Sequence, residues 1–466
     1  MSIEDYRAQV RESDRRLLNV IKERFMLGSQ IAKVKESKGI ATIDPDAERA
    51  AMENLIESAR KLGINTIFTR KLGELLIEQT IGVQNALRPK QSKDQLLKEI
   101  FELIQKLTSQ GKKITRLEIG EPNFPASKLA VRELSATFRK KKIVGYGSSS
   151  GLLELRTTLA AELSATHHTK IEPDQVLITP GGRFAIFATI STFLSELERV
   201  IIPQPAWPAY EECADFVKGR IISIRTELAD RWDIDTGKLE EELRKGAKML
   251  VMNSPCNPTG KVIAAKKFHE IVNLARKYDT IVLSDEVYDR YTHPKPPSVL
   301  DEEYENAIYV NSFSKQFSLT GWRIAYLVST KETALKLRRL IQTAITCVPE
   351  FIQRAALIEL QKGRHEAQSN VDRIMKKMEL TCSELDKIDV SYYKPDGTFY
   401  VFPKANKPKF DSVNFAKKLL QDQLVSISPG KSYGDYNEFF RLAVTLPENK
   451  ISGAIRAIGK AIDAWS

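Results

Sequence analysis

The sequence predicts two folds in one chain of 466 residues: an all-α unit, then an α/β unit on a mainly parallel sheet with a smaller α+β subdomain. Three observations predict this. Val10, Leu17, Leu18, Ile21, Phe25, Ile31 and Val34 recur at three-, four- and seven-residue intervals, the apolar stripe of one long helix. Beyond about residue 95 the pattern becomes short β-branched runs between helical segments, and strands this apolar are buried on both faces. Polar and glycine-bearing clusters follow those runs, at the strand ends where open α/β sheets gather ligands.

In chain order, the first helix starts near residue 3. Asp44-Pro45 opens a second, because aspartate caps a helix and proline suits its first turn. Lys61-Leu62-Gly63 closes it, with glycine past the end. A third runs from about Thr69 to Leu87. One long helix and two shorter ones cannot cover the long stripe alone, so this unit is expected to dimerise. Arg88-Pro89-Lys90-Gln91-Ser92-Lys93 breaks the helical pattern. The expected division is 1–89 helical, 90–94 linker and 95–466 α/β. Within the last, a large domain covers about 135–345, and a small subdomain covers about 346–466 plus 95–134. Strands are expected at Val176-Leu-Ile, Arg199-Val-Ile-Ile, Met249-Leu-Val-Met, Ile281-Val-Leu, Ala307-Ile-Tyr-Val and Arg323-Ile-Ala-Tyr-Leu-Val. Past about 350, a long helical segment and the strands Phe399-Tyr-Val-Phe and Phe440-Arg-Leu-Ala-Val belong to the small subdomain.

Composition excludes several classes. No stretch approaches the ~18 consecutive apolar residues of a membrane span. Met-Ser-Ile-Glu-Asp-Tyr-Arg at the start lacks the apolar core of a secretory signal, so a cytoplasmic protein with no membrane partner is expected. Cys213, Cys256, Cys347 and Cys382 form no CxxC, and the five histidines form no HExxH, so no metal is expected. The net charge of +11 attracts anions. Its densest run, Arg139-Lys140-Lys141-Lys142, has few aromatics near it and reads as a solvated face, not a nucleic-acid site.

The strand-end clusters carry the chemistry. They are Thr179-Pro-Gly-Gly-Arg183, Asn253-Ser-Pro-Cys-Asn257-Pro-Thr-Gly260, Ser284-Asp-Glu-Val-Tyr288 and Asn311-Ser-Phe-Ser-Lys315 with Arg323. With Glu118-Ile-Gly-Glu-Pro-Asn-Phe124, Pro205-Ala-Trp-Pro-Ala-Tyr210 and Phe440-Arg-Leu-Ala-Val444, the ordered set resembles the fold-type I pyridoxal-phosphate (PLP) aminotransferases. The aspartate aminotransferase group is the nearest in kind, and the resemblance covers about 95–466. It implies that Lys315 forms a Schiff base with PLP and then moves the proton of the 1,3-shift. It implies that Asp285 keeps the pyridine nitrogen protonated, so that the ring is an electron sink. Tyr288 and Asn257 would hydrogen-bond the ring's 3-oxygen, and Trp207 would stack on the ring. Ser312, Arg323 and the Gly182–Arg183 backbone would hold the phosphate, with Tyr146 reaching in from a partner subunit. Arg441 would grip the substrate α-carboxylate bidentately, beside Asn257 and Trp207, with Gly120 allowing close backbone approach. Arg183 stands where the family often has a lysine for a distal carboxylate, which implies a substrate with a second acidic group. Singly, these residues have plainer readings: Asp285 an N-cap, Asn257 a turn former, Trp207 a core aromatic, Arg183 a surface arginine. The loop Gly145-Tyr-Gly-Ser-Ser-Ser-Gly151 also departs from the family's proline-containing YxPxxG.

The first unit, about 3–88, carries Arg7, Asp14-Arg-Arg-Leu-Leu, Arg24, Lys35, Asp44-Pro45, Glu48 and Gln84, and so resembles the AroQ-type chorismate mutases. The resemblance implies a three-helix, intertwined dimer. Arg24 and Lys35, eleven residues apart, share a helix face, while Arg7 lies about 100° off it, as suits a residue serving the other subunit's pocket. Chorismate rearranges to prephenate without a covalent intermediate, so catalysis means holding one conformer and stabilising charge at the breaking ether bond. By resemblance Arg7 and Arg24 clamp carboxylates, Lys35 and Gln84 donate to the ether oxygen, and Glu48 takes the ring hydroxyl. Asp44 and Thr80 stand behind them. The arginine that usually precedes this glutamate is Ala47 here, with Arg49 following.

Together these resemblances imply a bifunctional enzyme of phenylalanine and tyrosine synthesis, a homodimer or higher homo-oligomer. It would make prephenate from chorismate, then move an amino group from glutamate or aspartate to a 2-oxo acid, prephenate first, giving arogenate. The alternative is an aspartate or aromatic aminotransferase with a mutase or regulatory N-terminal domain. More remote is a PLP-sensing transcription regulator, whose winged helix-turn-helix this N-terminus does not resemble.

Overall fold

The computed structural model describes residues 2–37, 45–87, 93–140 and 145–465. The chain forms two compact units, Met1–Gln95 and Leu96–Ser466.

The first unit is α1 (Ile3–Ser37), α2 (Pro45–Lys61) and α3 (Thr66–Leu87), with no strand among its described residues. Gly63 ends α2 at φ +68°, a left-handed position that costs glycine nothing. α3 starts three residues before the expected Thr69 because Asn65 caps it, its Oδ1 accepting from the Ile67 and Phe68 amides. Small residues let the helices close. A methyl on Gly28 of α1 would sit 2.6 Å from Thr80 Cγ2 of α3, and one on Gly73 of α3 would sit 2.9 Å from Met52 Sδ of α2. Few apolar side chains are buried here, Ala32 and Ala59 among them, and residues 2–20 are all exposed, Val10, Leu17 and Leu18 included.

The second unit is organised by a seven-stranded sheet. Its strands are β1 (Val176–Thr179), β2 (Arg199–Gln204), β3 (Arg220–Arg225), β4 (Ala247–Asn253), β5 (Ile281–Asp285), β6 (Ala307–Ser312) and β7 (Ala325–Val328). The order is β1-β7-β6-β5-β4-β2-β3. β7 alone runs antiparallel to its neighbours β1 and β6. It begins at Ala325, later than Arg323, because Arg323 holds φ +54° and cannot extend the strand. Successive residues enter opposite cores: Val282 joins Phe268 and Ile271, while Leu283 joins Ile186 and Tyr210. Helices cover both faces, which is why these strands read as unbroken apolar runs.

A smaller part collects the long helix Arg364–Leu385, helices Ser412–Gln423 and Glu448–Asp463, and strands β8 (Tyr400–Val401), β9 (Ser428–Pro429) and β10 (Phe440–Ala443). β10 pairs antiparallel with both others. Ile100, Ile104 and Leu107 of helix Lys93–Ser109 pack into its core with Leu442 and Ile458. Among the described residues no helix is long and apolar enough to cross a membrane, and no group of His, Cys, Asp and Glu is placed to hold a metal.

Candidate active site

The carboxyl ends of β1, β4, β5 and β6 bring the clusters of the second unit to one edge of the sheet. β6 runs through Ser312 into the short helix Phe313–Gln316, which carries Lys315. Ser312 caps that helix, its Oγ accepting from the Ser314 amide at 3.0 Å, and Tyr291 Oη donates to the Lys315 carbonyl at 2.8 Å. Lys315 Nζ donates to the Gly120 carbonyl at 2.6 Å and lies 5.9 and 5.8 Å from the Tyr288 and Phe399 ring centres. Burial, then the Arg441 cation, pulls its amine down to about 8, against the opposing pull of Glu121 and Asp285.

Asp285 ends β5 and is 2% exposed. Tyr210 Oη donates to its Oδ2 at 2.6 Å, and the Val287 amide donates to Oδ1 at 3.3 Å. Burial pushes its carboxyl up to about 6, although Tyr210, Val287 and the Lys315 cation pull the other way.

Gly181 and Gly182 follow β1 and begin the helix Gly182–Phe193. Gly181 holds φ +90°, and a methyl there would fall 2.3 Å from Arg323 Nη2, so only glycine lets that guanidinium lie against the helix start. Across from it, the Ser312 side chain would lie 3.9 Å from a Cβ on Gly182. Ser314 Oγ is buried without a hydrogen-bond partner in the chain. A helix N-terminus, two serines and an arginine form an anion cradle beside the Lys315 amine and the Asp285 carboxylate. That donor set fits the phosphate, aldehyde and ring nitrogen of PLP.

Arg441 leaves β10 with 6% exposure. Nη1 donates to Asn257 Oδ1 at 3.1 Å, Nη2 donates to the Glu118 carbonyl, and Nε is buried without a partner. Its guanidinium lies 4.2 Å above the Tyr400 ring. Tyr400 Oη meets Tyr288 Oη at 3.1 Å and would strike a methyl on Gly120 at 2.3 Å. Gly120, Asn257, Tyr288, Tyr400, Lys315 and Arg441 are thus linked into one cluster.

Two expected residues stand outside it. Arg183 Nη1 pairs with Glu212 Oε2 at 3.0 Å, and its guanidinium lies 4.8 Å over the Trp207 ring, with more than half the side chain exposed. Tyr146 is 90% exposed. Trp207 itself stands edge-on to Tyr210, 5.5 Å between ring centres.

In the first unit Arg24 Nε and Glu48 Oε1 are buried without partners in the chain, as two groups awaiting a polar ligand would be. Arg24 lies one turn before Gly28, on the face against which Thr80 packs. Thr80 Oγ1 donates to its own helix at the Leu76 carbonyl, and Lys35 is half-buried near the end of α1. Arg7 is exposed and 4.0 Å from Glu4. Asp44 and the Gln84 side chain lie outside the described residues.

Tyr210 and Tyr400 were not assigned roles from sequence. A signal existed for Tyr210, three residues beyond Trp207 in the quoted motif; Tyr400 read only as part of an apolar strand.

Both units resemble known proteins. The family profile described as Aminotransferase class I and II matches residues 112–458, and that of Chorismate mutase type II matches residues 6–85. An aspartate aminotransferase of Sulfolobus acidocaldarius is 30% identical over 384 residues, 79% of this chain and 94% of that protein. The aromatic-amino-acid aminotransferase 2 of Thermococcus litoralis is 28% identical over 374 residues, 78% of this chain and 95% of that protein. The solved aspartate aminotransferase of Thermotoga maritima superposes with a TM-score of 0.75 at 28% identity, over 79% of this chain and 97% of that one.

Proposed function

We propose, for a chain that belongs to the class I and II aminotransferase family and carries a chorismate mutase type II domain before it, that its two activities are consecutive. The protein is a PLP-dependent transaminase and an isomerase. The first unit rearranges chorismate to prephenate, and the second transfers an amino group from glutamate or aspartate to prephenate, giving arogenate. One observation carries the transaminase assignments: the Lys315 amine, lowered to about 8, sits in one buried cluster with Arg441 and beside Asp285. When bound, PLP withdraws electrons from the substrate Cα and so acidifies its proton. Lys315 Nζ would take that proton and deliver it two atoms along, as the 1,3-shift requires, its amine being close enough to neutral near pH 8 to act in both directions. Arg441 and Asn257 fix the α-carboxylate, with the Arg441 Nε donor still unspent. Asp285 holds the ring nitrogen, Tyr288 and Asn257 the 3-oxygen, and Trp207 the ring face. Gly182, Ser312, Arg323 and the Arg183 backbone hold the phosphate.

Prephenate carries a 2-oxo acid and a second carboxylate. The fused mutase domain and the Arg183 cation over Trp207 support it as acceptor. In the first unit, Arg24 clamps a carboxylate, Lys35 and Gln84 reach the ether oxygen, and Glu48 the ring hydroxyl, with Asp44 and Thr80 behind. Arg7 acts in a partner's pocket. The exposed first half of α1 and the 90% exposure of Tyr146 support a homodimer in which both units borrow from a second copy.

A second reading has a specific observation behind it. Glu212 already neutralises Arg183, which favours neutral aromatic 2-oxo acids such as phenylpyruvate. An acceptor panel of prephenate, phenylpyruvate, 4-hydroxyphenylpyruvate and oxaloacetate decides between them. Prephenate should lead, and Arg183→Ala should lower kcat/KM for prephenate and oxaloacetate by tenfold or more while sparing phenylpyruvate, about the worth of one charged hydrogen bond. Brisk turnover of phenylpyruvate with none of prephenate would establish the second reading.

A further inference from the structure

Tyr210 is a buried polar group bonded to Asp285 that the proposed chemistry leaves unused. We propose that Tyr210 is a positioning residue for the cofactor ring: by occupying Asp285 Oδ2 it turns the carboxylate so that Oδ1 meets the ring nitrogen. This rests on the PLP reading of the site and adds to it a residue that acts through Asp285.

An aspartate carboxyl turns about a broad terminal torsion, so its own chemistry does not choose which oxygen points where. Here the two oxygens are unequal. Oδ2 receives a short 2.6 Å bond from a phenol that is itself 2% exposed. Oδ1 receives only a long 3.3 Å bond from the Val287 amide, so it keeps lone-pair capacity for an N–H approaching from the cleft. Tyr210 cannot easily give way. Its ring is wedged edge-on against Trp207 and packed with Val200, Val251 and Leu283.

What lies behind the phenol strengthens the point. A cavity of about 50 Å³ borders Tyr210, walled by Ile202, Val251, Met252 and Cys256 together with the polar Asn253 and Asn257. Cys256 Sγ is directed to the Pro205 carbonyl at 3.8 Å. With the hydroxyl gone, Oδ2 would lose its short hydrogen bond and the carboxyl would be free to turn. The charged or titratable groups that reach Asp285 are Tyr210, Lys315, Tyr288 and Cys256, and among them Tyr210 makes the hydrogen bond. Trp207 lies just before the helix Ala209–Phe216, its carbonyl accepting from the Tyr210 amide at 3.2 Å, so the short segment Trp207–Tyr210 would set both the face and the edge of the ring.

The test uses the full-length holoenzyme. Tyr210→Phe keeps the ring and removes the hydroxyl. It should weaken PLP binding about three- to tenfold and raise the pH at which the visible band of the bound cofactor titrates. The rise follows because a less anionic Asp285 leaves the ring nitrogen less charged and the lysine linkage more basic. Tyr210→His, which restores a donor, should recover part of both shifts. On an Asp285→Asn background, Tyr210→Phe should then change neither readout further. Wild-type affinity and an unmoved titration in Tyr210→Phe would overturn the inference, as would a full additional effect on the Asp285→Asn background. Should Tyr210→Phe not fold, Tyr210→His against wild type decides by the same two readouts, near-wild-type values supporting the inference and Phe-like shifts overturning it. Absence in the wild type of any visible band that Lys315→Ala abolishes would instead sink the PLP reading itself.

Discussion

Lys315 and Asp285 are each held away from their ordinary protonation behaviour, and the consequence for the apo-protein can be worked out in sign. Lys315 has a folded value of about 8 against 10.5 for the free side chain, so the unfolded chain binds more protons between those values. Its burial therefore destabilises the fold fully below pH 8, and the cost fades as pH rises toward 10.5. Asp285, at about 6 against 3.8, does the reverse: its cost is full above pH 6 and fades as pH falls toward 3.8. Apo Lys315→Met should melt above apo wild type at pH 7, by a margin that shrinks to little by pH 10. Apo Asp285→Asn should melt higher at pH 7 and lose its margin by pH 4. Scanning calorimetry across pH reads both; a margin independent of pH would contradict the assignment. Among these residues, Lys315, Asp285 and Arg441 were legible because each follows or lies within an apolar run. The Arg183–Glu212 pair was not, since it joins two helices whose meeting no local pattern announces.

The elements show the same division. The helix carrying Lys315 is only four residues long, yet Ser312 caps it and Tyr291 ties down its carbonyl, so its orientation is set from both sides. β3 escaped the sequence reading because it is an edge strand with arginine at both ends and only Ile224 buried, without the two-sided burial that marks its neighbours. In the first unit, the approach of α1 to α3 depends on Gly28. Gly28→Ala would place a methyl 2.6 Å from Thr80 Cγ2 and force the helices apart. A loss of about 1–3 kcal/mol in that unit is expected, with mutase activity falling and transaminase activity kept. Thermal melting of the full chain together with both assays checks it; an unchanged mutase rate would show that the helices can separate there at no functional cost.

Across the whole molecule, two compact units with separate chemistries make separable activities. Arg24→Ala should reduce chorismate turnover by about a hundredfold or more, the usual loss when one electrostatic donor to a transition state is removed, and leave amino transfer intact. Lys315→Ala should do the opposite. Following chorismate loss and amino transfer in the same preparations reads this directly, and loss of both activities from either substitution would argue that the units depend on each other.

What the chain determines by itself is local in origin. Helical periodicity, the Asp44-Pro45 start, glycine at the ends of elements and polar clusters after apolar runs act through near neighbours, so they could be read without the fold. They placed most of the large sheet's strands and most of the site. Tertiary structure alone decided which side chains meet. Tyr210 and Asp285 are seventy-five residues apart, and Arg441 and Asn257 one hundred and eighty-four. Their contacts depend on strand order and on the closing of the smaller part over the sheet. Tyr400, read only as part of a strand, touches three site residues for the same reason: a hydrogen bond of about 3 Å needs the whole sheet to be in register, and no spacing along the chain encodes that distance.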